Sequence, residues 1–362
     1  VRRPDDLFRK VTAREEGWAW LGWLLTPFSL VYGCGSLLRR KLFESGIFRR
    51  EKLPVTVVSI GNIEVGGVGK TPVTIWLARK LLDLGIRVAV VARNLDAARG
   101  EPLAIRPGMG SDRLFSDEIL MLGARLGGKC AVYAGSSKLA AARRAVREAD
   151  PEVILIDDGF QHLKLFRDID VVVLDHQHPT GIGGLLPAGT LREFPGTLSR
   201  ADYLWVNRSA QDMSRSFTKR KIAVHNWQAP FIFSQPVPSP PRNLLGNRPD
   251  EAITDVVAFC GIARPADFVR TVEEAGYRVL ELVPFPDHYR YREEDMKQLS
   301  NTVRKTGAHC LMTTEKDAMK LTAAWSSMYS VFMLPIELEV EGDINRLLGS
   351  IIDIMKEKSQ LL

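Results

Sequence analysis

Glu64 to Thr71 reads EVGGVGKT. The usual phosphate-binding pattern is G-x-x-x-x-G-K-[ST]. Here Glu64 stands in place of the first glycine, while Gly66, Gly67 and Gly69, interrupted by Val68, let the backbone curl its N–H groups around phosphate oxygens. In such a loop Lys70 reaches the outer phosphates of a nucleotide and the Thr71 hydroxyl can ligate magnesium. A second charged feature, Asp157 with Asp158, closes the apolar run EVILIDD. Carboxylates at the end of a buried strand can hold magnesium directly or through water, or can cap a turn.

These residues need elements to position them. PVTVVSIGN, just before the loop, is a short β-branched run and reads as a buried strand. An amphipathic helix is expected over roughly 70–84, followed by a second strand in IRVAVVAR. Strand, turn, helix, strand is a βαβ unit of a parallel sheet. CAVYAG, EVILIDD, IDVVVLD and YLWVN continue the strand series, with helices around 116–126 and 138–149. The alternation predicts an α/β fold, a doubly wound, P-loop NTPase-like parallel sheet. QAPFIFSQPVPSPPRNLLGNRPD is proline-rich and aperiodic, and reads as a linker or edge hairpin. Beyond it VVAFCGI, YRVLELVPF and CLMTTEKD alternate with helical stretches, the last helix starting near Asp343. The expected organisation is an apolar and basic segment over 1–50, a phosphate-loop domain over 51–227, a linker over 228–250 and a smaller α/β lobe over 251–362. A ligand cleft is expected between the two lobes.

The 362 residues carry a formal charge of +6 and 45% hydrophobic residues. That is the composition of a folded chain with an anionic partner, and charge alone does not choose among nucleotide, phospholipid, phosphorylated substrate and nucleic acid. Cys34, Cys130, Cys260 and Cys310 are far apart, which argues against a zinc site or disulfide framework and suits a reducing compartment. Residues 17–38 carry no charge and are followed by a basic stretch. The length borders on that needed to span a bilayer. Pro27 splits it, and Trp18, Trp20, Trp23 and Tyr32 favour the headgroup level. Membrane insertion, an interfacial helix and a buried helix all remain open. A cleaved signal peptide fits poorly, because acidic residues precede the run.

The blocks SIGNIEVGGVGKTP, SDEILML, ILIDDGFQHLKLFRDIDVVVLD, LLPAGTLRE, FCGIARPADF, FPDHY and TTEKDAMK occur in that order between Leu53 and Lys320. Together they resemble the tetraacyldisaccharide 4'-kinase family, whose phosphate loops also lack the first glycine. The resemblance implies transfer of the ATP γ-phosphate, with Mg2+, to the 4'-hydroxyl of a membrane-embedded acylated disaccharide 1-phosphate, giving lipid IV-A. It further implies work at the cytoplasmic face of the inner membrane, through a peripheral contact or a single N-terminal anchor. Neither nucleic acid nor an obligatory protein partner is implied. By the family pattern Asp117 in SDEI is the base and Glu118 its neighbour; from the residues alone Asp117 is a helix cap. His288 in FPDHY corresponds to the family histidine paired with that aspartate, or else is a loop histidine bound to backbone. Gln161 and His162 line the acceptor site on this pattern, His162 alternatively packing beside the strand. Arg192 is a phosphate clamp or an ion-pair partner of Glu193. Glu315, Lys316 and Asp317 receive no specific role from spacing.

Three positions depart from the family pattern. SRGY becomes ARNL, retaining Arg93 with Asn94 after it; Asp-Arg becomes Ser137-Lys138; and the proline after Asp-Glu becomes Ile119. A lysine cannot make the bidentate contact of an arginine. Two further readings stand beside the kinase. One is a GTPase-like regulator or metallochaperone, for which no N-K-x-D guanine signal is present. The other is a diverged, lipid-binding family member with weak activity.

Overall fold

The computed structural model describes residues 8, 10–15, 17–94, 101–105, 115–209, 213–249, 253–262, 264–287 and 289–360. The chain divides into two units. The first comprises residues 1–104, 126–235 and 339–362, and the second 105–125 and 236–338.

The elements run α1 (Ala19–Glu44), β1 (Thr56–Gly61), α2 (Lys70–Asp83), β2 (Val88–Arg93), β3 (Leu103–Ile105), α3 (Asp117–Leu126), β4 (Ala131–Gly135), α4 (Lys138–Ala149), β5 (Val153–Asp157), β6 (Ile169–Asp175), β7 (Tyr203–Asn207), α5 (Met213–Ala223) and β8 (Phe231–Pro238). They continue β9 (Arg242–Asn243), β10 (Asp255–Cys260), α6 (Pro265–Glu274), β11 (Arg278–Pro284), α7 (Glu293–Thr306), β12 (Cys310–Thr314), α8 (Glu315–Ala318), α9 (Ala323–Tyr329), β13 (Val331–Leu334), β14 (Ile336–Gly342) and α10 (Ile344–Gln360).

The first sheet has nine strands in the order β14-β8-β7-β6-β1-β5-β2-β4-β3. β1 lies parallel between β5 and β6, and every residue of β1, β5 and β6 is buried. Strands covered on both faces read as unbroken apolar runs, which is how β1, β5 and β6 appear in the sequence. Order reverses around β1, the topological switch at which such sheets bind ligands beyond the carboxyl ends of the strands. The second sheet has order β11-β10-β12-β13-β9, parallel except for β9 against β13. Its two faces carry separate cores, one around Phe268 and Val272, the other around Phe259, Met296 and Leu299.

The division differs from the expected one at three segments. The closing helix α10, expected in the second lobe, belongs to the first unit. Lys358 Nζ reaches Val55 O at 2.8 Å and Asp168 at 2.7 Å, and Tyr203 Oη donates to Arg346 O at 3.0 Å. Helix α3, expected in the first domain, falls with the second unit except at its last residue. The proline-rich stretch supplies a strand to each sheet: β8 runs parallel to β7, with Ile232 and Phe233 buried, and β9 pairs with β13. The apolar run Phe231–Phe233 outweighs Pro230 before it and Pro236 and Pro238 at the far end of the strand.

Helix α1 settles one of the open readings. Gly22, Ser29, Gly33 and Phe43 are buried, but Trp20, Trp23, Leu24, Phe28, Val31 and Leu38 are exposed, so it is no core helix. Ala188 N donates to Ser29 Oγ at 3.0 Å, and a side chain at Gly33 would collide with Leu185 and Phe194. One face therefore seats on the first unit while the opposite face presents large apolar side chains. The helix is long and apolar enough to cross a membrane. All four cysteines are free. Burial pushes the thiols of Cys130, Cys260 and Cys310 up to about 12, so they stay protonated and inert.

Candidate active site

The phosphate loop leaves β1 and ends at Gly69, whose φ of 91° turns the chain into α2. Lys70 and Thr71 are the first two residues of that helix, where unpaired N–H groups and the helix dipole favour an anion. Two residues not picked out as site residues from sequence brace the loop, and two more hold them in place. Asn207, at the end of β7, donates to Val68 O at 2.9 Å and is itself held by Ser234 Oγ at 3.0 Å. Arg208 donates to Gly67 O at 3.1 Å while paired with Asp175 at 2.9 Å. A polar residue closing an apolar strand was the only sequence signal for Asn207 and Asp175, and that signal is common.

Gly69 cannot change without cost. A Cβ there would lie 2.0 Å from Asn207 Nδ2, in a left-handed conformation. Gly69→Ala is therefore expected to cost about 1–3 kcal/mol and to weaken nucleotide-induced stabilisation. Thermal melts with and without nucleotide check this, and wild-type melting in both conditions would contradict it.

The paired aspartates take different environments. Asp157 ends β5 buried, accepting from Thr71 Oγ1 and Thr74 Oγ1, each at 3.1 Å. Burial raises its pKa, against the pull of Lys70. Asp158 begins the turn at φ 52°, in the left-handed region that aspartate tolerates. Arg192 Nη1 bonds both its carboxylate oxygens at 3.0 Å, and Lys70 Nζ stands 3.5 Å away. Burial opposes its charge, but Lys70, Arg192 and Lys138 overcome that and hold its pKa at about 2. Arg192 thus pairs with Asp158 and not with Glu193, which takes Arg200 at 2.9 Å and Gln161 at 3.0 Å.

Lys138 is buried at the start of α4 and donates to the Asp158 carbonyl. Burial lowers its pKa to about 8, so it remains largely charged at neutral pH. The lysine that replaces the family arginine therefore secures the backbone of the turn. Three cations, Lys70, Lys138 and Arg192, converge on Asp158 beyond the loop, a field suited to a polyphosphate.

The donor set also fits magnesium. A hydroxyl and a carboxylate, Thr71 and Asp157, are hard oxygen ligands already in contact, and magnesium takes one or two carboxylates and completes its shell with phosphates and water. Among the described residues no group of three or more His, Cys, Asp or Glu is gathered in one place. Both oxygens of Asp158 are engaged by cations, leaving Thr71 and Asp157 as the better-placed pair.

Gln161 donates to Asn62 O at 2.7 Å, which ties the turn after β5 to the end of β1. His162 is half-buried and its Nε2 has no hydrogen-bond partner. Burial, then the nearby cations Lys138 and Arg167, depress its pKa to about 4. Because the folded value lies below the ordinary 6.5, protonation favours the unfolded chain, so stability falls as pH drops from 6.5 toward 4. His162→Gln is expected to flatten the melting temperature over that interval, and an unchanged pH slope would refute the burial argument.

Asp117 and Glu118 lie in the second unit, in the first turn of α3. Ser116 takes the cap position, its carbonyl accepting from Ile119 N at 3.0 Å and Leu120 N at 3.1 Å. Asp117 is thus the first helical residue and not the cap. Ile119 supplies an N–H where a proline would have none. Lys320 Nζ lies 3.2 Å from the Asp117 carboxylate. His288 lies outside the described residues.

A glycine-rich loop opening a helix, converging cations and a strand-end aspartate bonded to the first-turn threonine, all on a parallel sheet, define a P-loop nucleotide-dependent phosphotransferase. The family is as clear. The profile of LpxK, tetraacyldisaccharide-1-P 4'-kinase, matches residues 21–353, and the chain belongs to that family. A tetraacyldisaccharide 4'-kinase of Syntrophus aciditrophicus is 34% identical over 339 residues, 88% of this chain and 89% of that protein. One from Anaeromyxobacter dehalogenans is 36% identical over 305 residues, 81% and 79% of the two chains. Among solved structures, LpxK from Aquifex aeolicus in complex with ATP superimposes with TM-score 0.72 at 28% identity, covering 92% of this chain and 99% of that one.

Proposed function

We propose that the chain transfers the γ-phosphate of ATP to the 4'-hydroxyl of tetraacyldisaccharide 1-phosphate, forming lipid IV-A in lipid A biosynthesis. Family membership over residues 21–353, with the phosphate loop intact, is the observation that carries this reading. It sets aside a GTPase-like regulator or metallochaperone.

The residues divide the work as phosphoryl transfer requires, by position and charge. Gly66, Gly67, Val68 and Gly69 cradle the phosphates, Lys70 takes the outer phosphate oxygens, and Arg192, drawn toward Asp158, helps neutralise charge as it develops. Thr71 and Asp157 would hold magnesium, which when bound would neutralise negative charge on the phosphate oxygens. Asp158 sets the positions of Lys70 and Arg192. Asp117, with His288 as its partner, accepts the proton of the 4'-hydroxyl as the new O–P bond forms and the bridging bond to the β-phosphate breaks, releasing ADP. Glu118, Gln161 and His162 belong to the acceptor side. The exposed apolar face of α1 rests on the cytoplasmic side of the inner membrane, where an acylated acceptor resides.

Purified protein in detergent, labelled ATP and the disaccharide 1-phosphate test the proposal directly. Acceptor-dependent labelling of the lipid is expected. The absence of acceptor-dependent transfer would overturn it; lipid binding without transfer would then favour a diverged lipid-binding role.

A further inference from the structure

The block TTEKDAMK has no role in the chemistry above, yet every one of its charged residues is engaged within the second unit. Asp317, fully buried, is saturated: Gly261 N donates at 2.9 Å, Thr314 Oγ1 at 2.7 Å and Lys320 Nζ at 2.8 Å. Asp317 N in turn bonds Thr314 Oγ1 at 3.0 Å, which caps the four-residue helix α8. The carboxylate is an anchor and not a reacting group.

From this anchor the other charged side chains extend to a single target. Lys320, 7% exposed, spans Asp317 and, at 3.2 Å, Asp117. Lys316 stands 3.4 Å from both Glu118 and Asp287. Glu315 meets Arg125 at 2.5 Å, and Arg125 also bonds Glu337 and donates to Ile336 O at 2.6 Å. Asp117, Glu118 and Arg125 all belong to α3, two in its first turn and one in its last. The block therefore grips one helix at both ends, which fixes its rotation and its position along its axis. Exposed ion pairs would do little of this. Lys320, Glu315 and Arg125 are largely withdrawn from water, where breaking one partner strands the other's charge.

We propose that Glu315, Lys316 and Lys320, anchored by Asp317, form a positioning clamp that holds α3 and so aims the Asp117 carboxylate at the acceptor hydroxyl. This rests on Asp117 being the base. Lys320 touches no substrate in this scheme; it acts through Asp117.

A double-mutant cycle on the full-length protein separates positioning from general support of the fold. Lys320→Met is expected to lower kcat by about 10- to 100-fold, the cost of a misplaced catalytic group, with ATP affinity unchanged. In an Asp117→Asn background the same substitution should lower the residual kcat by no more than about twofold, because two residues acting as a unit are not additive. Equal losses in both backgrounds, or no loss in either, would overturn the clamp. Should Lys320→Met fail to fold, Lys316→Met, on a more exposed lysine, is carried through the same cycle with the same two outcomes. If Asp117→Asn alone keeps wild-type turnover, the base assignment falls, and the clamp with it. A strongly slowed Asp117→Asn whose residual kcat shows additive lysine effects rejects the clamp alone.

Discussion

Asp117→Asn is expected to lower kcat by about 10²- to 10⁴-fold, the usual worth of a positioned general base, while leaving ATP binding intact. The substitution preserves shape and removes the capacity to accept a proton. ATP affinity is spared because the phosphate loop, Lys70 and the Asp158 cluster all lie in the first unit, whereas Asp117 opens α3 in the second. Asp117 is also not the cap of that helix, since the Ser116 carbonyl makes the first helical bonds. Because the substitution also removes one partner of the Lys320 ion pair, a melting curve beside the rates separates lost chemistry from a loosened helix. Steady-state rates at saturating acceptor, beside an ATP-binding measurement, decide the matter. Undiminished kcat would move the base elsewhere, and a parallel loss of ATP binding would show a folding defect.

The second large effect is expected at Lys70. Lys70→Met should reduce kcat/KM for ATP by about 10²- to 10³-fold, the scale for removing one preorganised charge from a transition state. Its ammonium, 3.5 Å from Asp158 and mostly buried, shares that carboxylate with Arg192, while Lys138 donates to the Asp158 backbone carbonyl close by. Without it the two remaining cations still hold Asp158 ionised, so the fold should persist with a melting temperature close to wild type. Lys70→Arg is not expected to restore activity, because a planar fork does not replace a compact ammonium at the head of a helix. Initial rates over a range of ATP concentrations test both variants, and near-normal kcat/KM in the methionine variant would remove Lys70 from the mechanism.

Most of the nucleotide half of the site was legible in the sequence. A strand, a glycine-rich turn, a Lys-Thr pair and a strand-end aspartate pair are local signals, and local signals survive translation into structure. The doubly wound sheet followed from the same runs, because strands buried on both faces leave no polar alternation to obscure them. The partners of those residues were not legible. From sequence Arg192 was a phosphate clamp or an ion-pair partner of adjacent Glu193; folding gave Glu193 to Arg200 and Gln161 and set Arg192 on the distant Asp158. Lys138 read as a weakened arginine and proved to secure a backbone turn.

By itself the sequence determined the glycine-rich strand–turn–helix loop that ends in Lys70 and Thr71, and the family of chains to which it belongs. Spacing along one strand–turn–helix unit dictates that geometry almost completely. Only the tertiary structure decided that α10 closes the first unit, that the proline-rich stretch supplies strands to both sheets, and that TTEKDAMK holds the helix of Asp117. Those outcomes depend on which apolar runs and which charges meet between segments far apart in the chain, as Lys358 meets Asp168 and Lys320 meets Asp117. Desolvation makes each such meeting selective, and no local pattern encodes it.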